Sequence, residues 1–388
     1  MRCIMNKPFC QAAWTTMLYG GAYSGGGVSP CCEWKGDIFD GPIAEYERSD
    51  FLENIKARMI SHDMEFINDN CRECIEVENL GDISARQHIQ KRVDSDNKYN
   101  KYNIGKFNKI DYRPDNLCNL KCRMCSPGSS SLIEEEQVKL KYIEPLVQRD
   151  TADILTFDLS DTKSLAILGG EPTVNPKVFP LLDKLIDEKL NETIQLQYTT
   201  NCTSVNEPWM KRIRQFPMVH INLSIDAAGK AYEYIRTGAQ WDKVKNNIPK
   251  IIKLSEEETD YDIQMVVQTH SFAIIEDWFE YFLQFPTENI NMTPLQGYAG
   301  KLNCMPDHIK KQKIRYLESF NHPTARMAIK HFEIDQYNPF EADRYSRQTS
   351  WLDHVRGTSI YDLDPIFEDI LTTTEFPLAF QHLSLPDE

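Results

Sequence analysis

Residues 164–201 read SLAILGGEPTVNPKVFPLLDKLIDEKLNETIQLQYTTN, and their pattern decides the fold. An apolar run, Ser164–Leu168, ends on Gly169-Gly170, the residue type that allows a sharp turn. The stretch 176–190 then repeats apolar residues at helical spacing, and Ile194–Thr199 begins a second strand-like run. Strand, helix, strand within so short a span is a right-handed βαβ unit, which lays two strands parallel in one sheet.

The alternation continues on both sides. Strands are expected at Lys109–Arg113, Val219–Ile225, Asp262–Gln268 and Asn289–Pro294, with helices around 129–148, 207–215, 228–254 and 275–284. Six such units and a helical tail predict an α/β fold, a partial (β/α)6 barrel of TIM type; a flat doubly wound sheet fits the same alternation. Residues 1–90 are read as a small cysteine-rich module holding the glycine-rich stretch 20–30 and a helix from Asp50 to about His62. The polar stretch 91–108 suits a linker, 109–304 is the partial barrel, and 305–388 is a mostly helical C-terminal extension.

The 388 residues carry a formal net charge of −15, from 43 Lys+Arg against 58 Asp+Glu. That balance speaks against a nucleic-acid partner held by non-specific electrostatics. No run of about 18 apolar residues offers a membrane span, and the opening MRCIMNKPFC lacks the apolar core of a secretory signal. A cytoplasmic location is therefore expected. In a reducing compartment eleven cysteines are many, and most are clustered, which points to metal ligation rather than disulfides.

The tightest cluster is CNLKCRMC, residues 118–125, directly after the strand expected at 109–113. Three thiolates can hold one corner of a [4Fe–4S] cubane and leave one iron open to a small molecule. The spacing alone also admits a zinc site or three unrelated thiols. CNLKCRMC resembles the signature of the radical S-adenosylmethionine (SAM) superfamily, and LGGEPTVNP (168–176) is similar to that family's GGEP motif at the end of the second strand. The resemblance implies that Cys118, Cys122 and Cys125 ligate the cluster. It implies that SAM chelates the open iron, with Glu171 and the Gly169–Gly170 backbone holding its amine. TTNCT (199–203) resembles the family's TNGT stretch and puts Asn201 near SAM, although Cys202 stands where glycine is usual. NLSIDAAGKAYEYIRTG (222–238) is similar to the segment contacting SAM's ribose or carboxylate, which nominates Ser224, Asp226 and Arg236. Met124 replaces an aromatic residue often found there.

The N-terminal cysteines follow the order Cys10, then GGGVSPCC ending at Cys32, then CREC at 71–74. This is similar to the auxiliary-cluster module called SPASM, or its shorter form twitch, here placed before the barrel instead of after it. Cys10, one of Cys31 and Cys32, Cys71 and Cys74 would then complete a second [4Fe–4S] cluster; Pro30 directly before Cys31 favours that residue. A structural zinc site with four cysteines fits the same spacing.

The mechanism implied by the resemblance is reductive cleavage of SAM to methionine and a 5′-deoxyadenosyl radical, which abstracts hydrogen from a substrate. An electron donor such as flavodoxin or ferredoxin is implied. A peptide or protein side chain is the favoured substrate, with a nucleoside or sugar as the alternative. A zinc-stabilised scaffold would leave Glu171 and the SAM-like segments without a task. A degenerate member that keeps the fold without turnover is opposed by the three cysteines and Glu171. His62, His88, His220 and His270 are expected at the surface or at strand ends, Glu134–Glu136 on a solvated helix face, and Trp278, Phe279, Tyr281 and Phe282 in the core. Lys121 and Arg123 suggest no more than charge balance beside an anionic cluster.

Overall fold

The computed structural model describes residues 10–20, 26–79, 83–95, 107–254, 259–295, 297–334 and 336–371. Residues 21–25 of the glycine-rich stretch 20–30, most of the linker 91–108 and the end of the C-terminal extension lie outside the described residues.

The strands in chain order are β1 (Thr16–Gly20), β2 (Gly27–Ser29), β3 (Lys109–Arg113), β4 (Lys121–Cys122), β5 (Ser164–Ile167), β6 (Gln195–Thr200), β7 (Val219–Ser224), β8 (Arg236–Thr237), β9 (Thr259–Val267) and β10 (Ile290–Pro294). Eight of them form one sheet in the order β2-β1-β3-β5-β6-β7-β9-β10, while β4 and β8 make a separate antiparallel pair. Every neighbouring pair from β1 to β10 is parallel; only the edge strand β2 runs the other way. From β3 onward each strand is added on the same side of its predecessor. Right-handed crossovers then place all the connecting helices on one face, as in a TIM-type barrel. A doubly wound sheet would reverse direction midway. The edges of the observed sheet, β2 and β10, are not paired to each other among the described residues, so the barrel is open.

The two faces differ in chemistry. On β6 and β7, Leu196, Tyr198, Val219, Ile221 and Leu223 are fully buried, and Tyr198 meets Trp209 of the helix Glu207–Ile213 edge-on at 5.1 Å. The helix Phe179–Asp187 buries Leu181, Leu182 and Leu185 completely on this side, each worth about 1.5–3 kcal/mol. The alternate residues Gln195, Gln197, Thr199, His220, Asn222 and Ser224 are half-exposed on the inner face. Closed TIM barrels fill this space with branched apolar side chains; here it is polar and open.

Three elements differ from the sequence expectation. β1 and β2, from the segment read as an irregular module, extend the barrel sheet, with Thr16–Gly20 in register with Lys109–Arg113. The helix expected over 228–254 divides into Gly229–Ile235 and Trp241–Lys253. Between them Arg236–Thr237 leaves the helix to pair with Lys121–Cys122, and Gly238 turns the chain at φ +102°. Trp278, Phe279 and Phe282 are buried as expected, with Tyr281 packed beside them.

Candidate active site

Cys118, Cys122 and Cys125 lie on the loop after β3, at the C-terminal end of the parallel strands, and each is half-buried. The loop is held by its own polar side chains. Ser130 Oγ donates to the Leu120 carbonyl at 2.7 Å, and Asn116 Nδ2 donates to Pro127 O at 2.7 Å and to Glu134 at 2.6 Å. The backbone of Cys122 pairs with Arg236, and Arg123 N donates to Ile235 O at 2.9 Å. Burial and then Cys122 push the Cys118 thiol up to about 12; burial, then Cys122 and Cys118, push Cys125 up as well. Burial is the largest cause at all three thiols, and buried thiols give up their protons when a cation compensates the charge, which fits a cationic iron–sulfur group.

The Gly-Gly turn after β5 packs against this same loop. Gly169 and Gly170 have φ of +82° and +57°, and a β-carbon there would stand 2.7 Å from Asp115 O and 2.0 Å from Leu117 O. Their smallness thus serves the approach of the cysteine loop. Glu171 N donates to Leu117 O at 2.8 Å. Its side chain is fully buried, where burial pushes the carboxyl up against four stabilising hydrogen bonds. These come from Thr173 N (3.2 Å), Thr173 Oγ1 (2.7 Å), Thr200 Oγ1 (2.8 Å) and Asn201 N (2.6 Å). Glu171 therefore ties the end of β5 to the end of β6.

Asn201 extends the network. Its Nδ2 donates to Asn119 Oδ1 at 3.0 Å, and Asn119 Nδ2 donates to Thr203 Oγ1 at 2.8 Å. Asn119, inside CNLKCRMC, had no signal beyond its place in the motif, because a loop asparagine is ordinary. Ser224, Asp226 and Arg236 also come together. Arg236 donates through Nε to Asp226 Oδ2 at 2.9 Å and through Nη2 to Ser224 Oγ at 2.6 Å, with all charge buried. Asp226 Oδ1 accepts from Val266 N at 2.9 Å.

A small cavity opens beside Met124, lined also by Arg123, Gln268, His270, Tyr345 and Thr349. Arg123 Nη1, Gln268 Nε2 and His270 Nδ1 are buried there without a hydrogen-bond partner among the described residues. Such groups suit a polar ligand lying over the cysteine loop. His270, expected at a surface or strand end, is buried; burial, then Arg123, hold its imidazole well below the usual range, in the neutral form. Of Glu134–Glu136, expected on a solvated face, Glu135 is exposed, whereas Glu136 is only 10% exposed and paired with Arg356 at 2.8 Å.

The N-terminal thiols form a second set, although among the described residues no three of the His, Cys, Asp and Glu side chains are grouped closely enough to hold a metal ion as they stand. Cys74 raises Cys10, Cys10 and Cys74 raise Cys71, and Cys10, Cys32 and Cys71 raise Cys31, in each case after burial, which pushes Cys10 up to about 11 and Cys71 up to about 12. Cys32 points elsewhere: it is exposed, lies 3.9 Å from Glu33, and its other charged neighbours are Asp111, Lys109 and Arg113 of β3. Cys10 precedes β1 and Cys31 follows the antiparallel β2, so both lie where the parallel strands begin. Cys118, Cys122 and Cys125 lie where they end. At about 3.3 Å per residue, the length of β3 separates the two thiol groups by roughly 13 Å along the strands.

Residues 112–281 match the family profile of the Radical SAM superfamily. This segment is a radical SAM domain. Among curated proteins none matches the chain. Among solved structures, anSMEcpe with bound AdoMet is 18% identical, covering 65% of this chain and 67% of that one, at a TM-score of 0.39. Streptococcus suis SuiB bound to precursor peptide SuiA is 17% identical, covering 66% and 59%, at a TM-score of 0.36. SuiB bound to S-adenosylmethionine is 15% identical, covering 79% and 72%, at a TM-score of 0.34. The alignment with the first of these spans about two thirds of either chain. The radical SAM domain implies an enzyme that uses a [4Fe–4S] cluster and SAM. No helix of the described residues is long and apolar enough to cross a membrane.

Proposed function

We propose that this chain abstracts hydrogen from a peptide or protein side chain, and that Cys118, Cys122 and Cys125 hold the SAM-binding [4Fe–4S] cluster. The observation that carries the reading is the convergence of the cysteine loop, the Gly169–Glu171 turn and the Asn201 loop at the strand ends. When bound, the cluster and SAM supply reductive cleavage to methionine and a 5′-deoxyadenosyl radical. The chain's own part is to hold and orient. Glu171 keeps the Gly-Gly backbone and Asn201 in one frame, leaving the turn to meet SAM's methionyl end. Arg236, fixed by Asp226 and Ser224, places a buried cation beside Cys122.

The half-exposed inner face supports a polar substrate laid into the open barrel. Gln195, Gln197 and Asn222 can each donate and accept, which is what pairing with peptide groups requires. Cys10, Cys31, Cys71 and Cys74 are assigned to an auxiliary [4Fe–4S] cluster, with Cys31 preferred to Cys32 because Cys31 has both Cys10 and Cys71 among its neighbours and Cys32 has Asp111, Lys109 and Arg113 of β3. Lying beyond the strand starts, that cluster would pass electrons and not bind substrate. A carrier such as flavodoxin or ferredoxin would deliver the first electron.

Iron and sulfide analysis of anaerobically reconstituted protein tests both assignments. About eight irons per chain are expected, at four per cluster. About four would remove the auxiliary cluster, and zinc without iron would overturn the reading.

A further inference from the structure

The helix Pro339–Arg356 lies outside the matched domain, yet two of its residues reach the cysteine loop on either side of Cys122. Arg356, 2% exposed, donates through Nη1 to the Lys121 carbonyl at 2.8 Å and through Nη2 to Glu136 Oε2 at 2.8 Å. Lys121 Nζ meets the other oxygen of Glu136 at 2.8 Å. One helical turn earlier, Asp353 Oδ1 accepts from Arg123 Nη2 at 2.5 Å and from Thr358 Oγ1 at 2.7 Å, while Oδ2 accepts from Ile360 N at 2.8 Å. Arg123 in turn donates through Nε to Tyr234 O at 3.1 Å, and its guanidinium lies 3.7 Å over the Tyr234 ring.

We propose that this helix is a clamp on the cysteine loop, with Arg356 and Asp353 as positioning residues that hold Cys122 in its ligand position before any cluster is bound. The residues before and after Cys122 are each fixed by one buried ion-paired side chain of the helix. A backbone carbonyl gripped by a buried guanidinium cannot turn away without taking the best acceptor from a buried N–H of that group, which is costly. The third partner of the loop, β8, reaches Cys122 through Arg236, so Cys122 is held from two directions. Preorganised ligands bind a metal group more tightly because less ordering remains to be done.

The inference rests on the ligand assignment above, and two measurements on Arg356→Met and Arg356→Lys separate the two. In the iron-free protein, amide hydrogen exchange over residues 119–124 is expected to speed at least tenfold in Arg356→Met, while β6 and β7 exchange as in the wild type. In reconstituted protein, loss of iron to a chelator is expected to speed at least tenfold, with Arg356→Lys recovering part of the difference. Unchanged exchange and iron retention in a folded Arg356→Met protein would overturn the clamp. Faster exchange across the whole sheet would also overturn it, since the residue would then serve only folding. If Arg356→Met does not fold, Asp353→Asn, which keeps an acceptor for Arg123 but loses the charge, is expected to speed the same two readouts severalfold, and no change would again overturn it. A wild-type chain that takes up no iron, with exchange at 119–124 still dependent on Arg356, would defeat the ligand assignment and spare the clamp.

Discussion

Gly170 shows how the site depends on single atoms. A methyl group there would stand 2.0 Å from the Leu117 carbonyl oxygen, one residue before Cys118, at a positive φ that alanine resists. Gly170→Ala is expected to cost at least about 2 kcal/mol and to abolish iron uptake, checked by denaturation and iron analysis. Cys202 offers the converse test. It is a fully buried non-glycine residue at φ +60°, where the resembling sequences carry glycine. Cys202→Gly is expected to be within about 1 kcal/mol of the wild type, because backbone relief offsets the lost burial. Cys202→Val is expected to cost about 2 kcal/mol or more, since a β-branched residue adopts that conformation poorly. The three cysteines stood out by their spacing, while Gly169–Glu171, Asn201 and Arg236 were nominated by the resemblance of their motifs, and the fold brings these segments together at the strand ends. Asn119 was legible only as part of a motif, and the inward-facing bonds of Glu171 depend on where β6 ends, which no local pattern states.

Among elements, the helix Ser131–Lys139 couples the cysteine loop to the C-terminal extension through Glu136. Burial alone would raise its carboxyl, but Arg356 and Lys121 outweigh that and hold it below the usual value of 4.5. A depressed folded value makes the pair's contribution complete above about pH 4.5 and lost as pH falls through the folded value. Glu136→Gln is therefore expected to lower stability by about 2 kcal/mol at pH 7, with the gap to wild type closing below about pH 4.5 in denaturant titrations. A gap that persisted at acid pH would contradict the role given to the charge. The sequence offered Glu134–Glu136 only as a charged run, and runs of charge usually face water. What buries Glu136 is a residue 220 positions away, which periodicity within one helix cannot reveal. β1 escaped for a related reason: five residues ending on a glycine carry too little pattern, and only pairing with β3 makes them a strand.

Over the whole molecule, the order of strands was the feature that the alternation left open. A singly wound order sends all helices to one face and leaves the other face polar and open, which a doubly wound sheet does not. Because β1 and β3 run parallel, Cys10 before β1 and the cysteine loop after β3 lie at opposite ends of the strands. Replacing Cys31 by Ala is expected to remove about four irons per chain, whereas Cys32→Ala keeps all of them, at four irons per cluster. Equal iron loss from both variants would contradict the assignment of Cys31.

The central claim is tested most directly by incubating reconstituted, reduced protein with SAM and measuring 5′-deoxyadenosine and methionine. Formation of both by the wild type, and of neither by Cys122→Ala, is the predicted result. A wild-type protein that holds iron and binds SAM but yields neither product under reduction would contradict it.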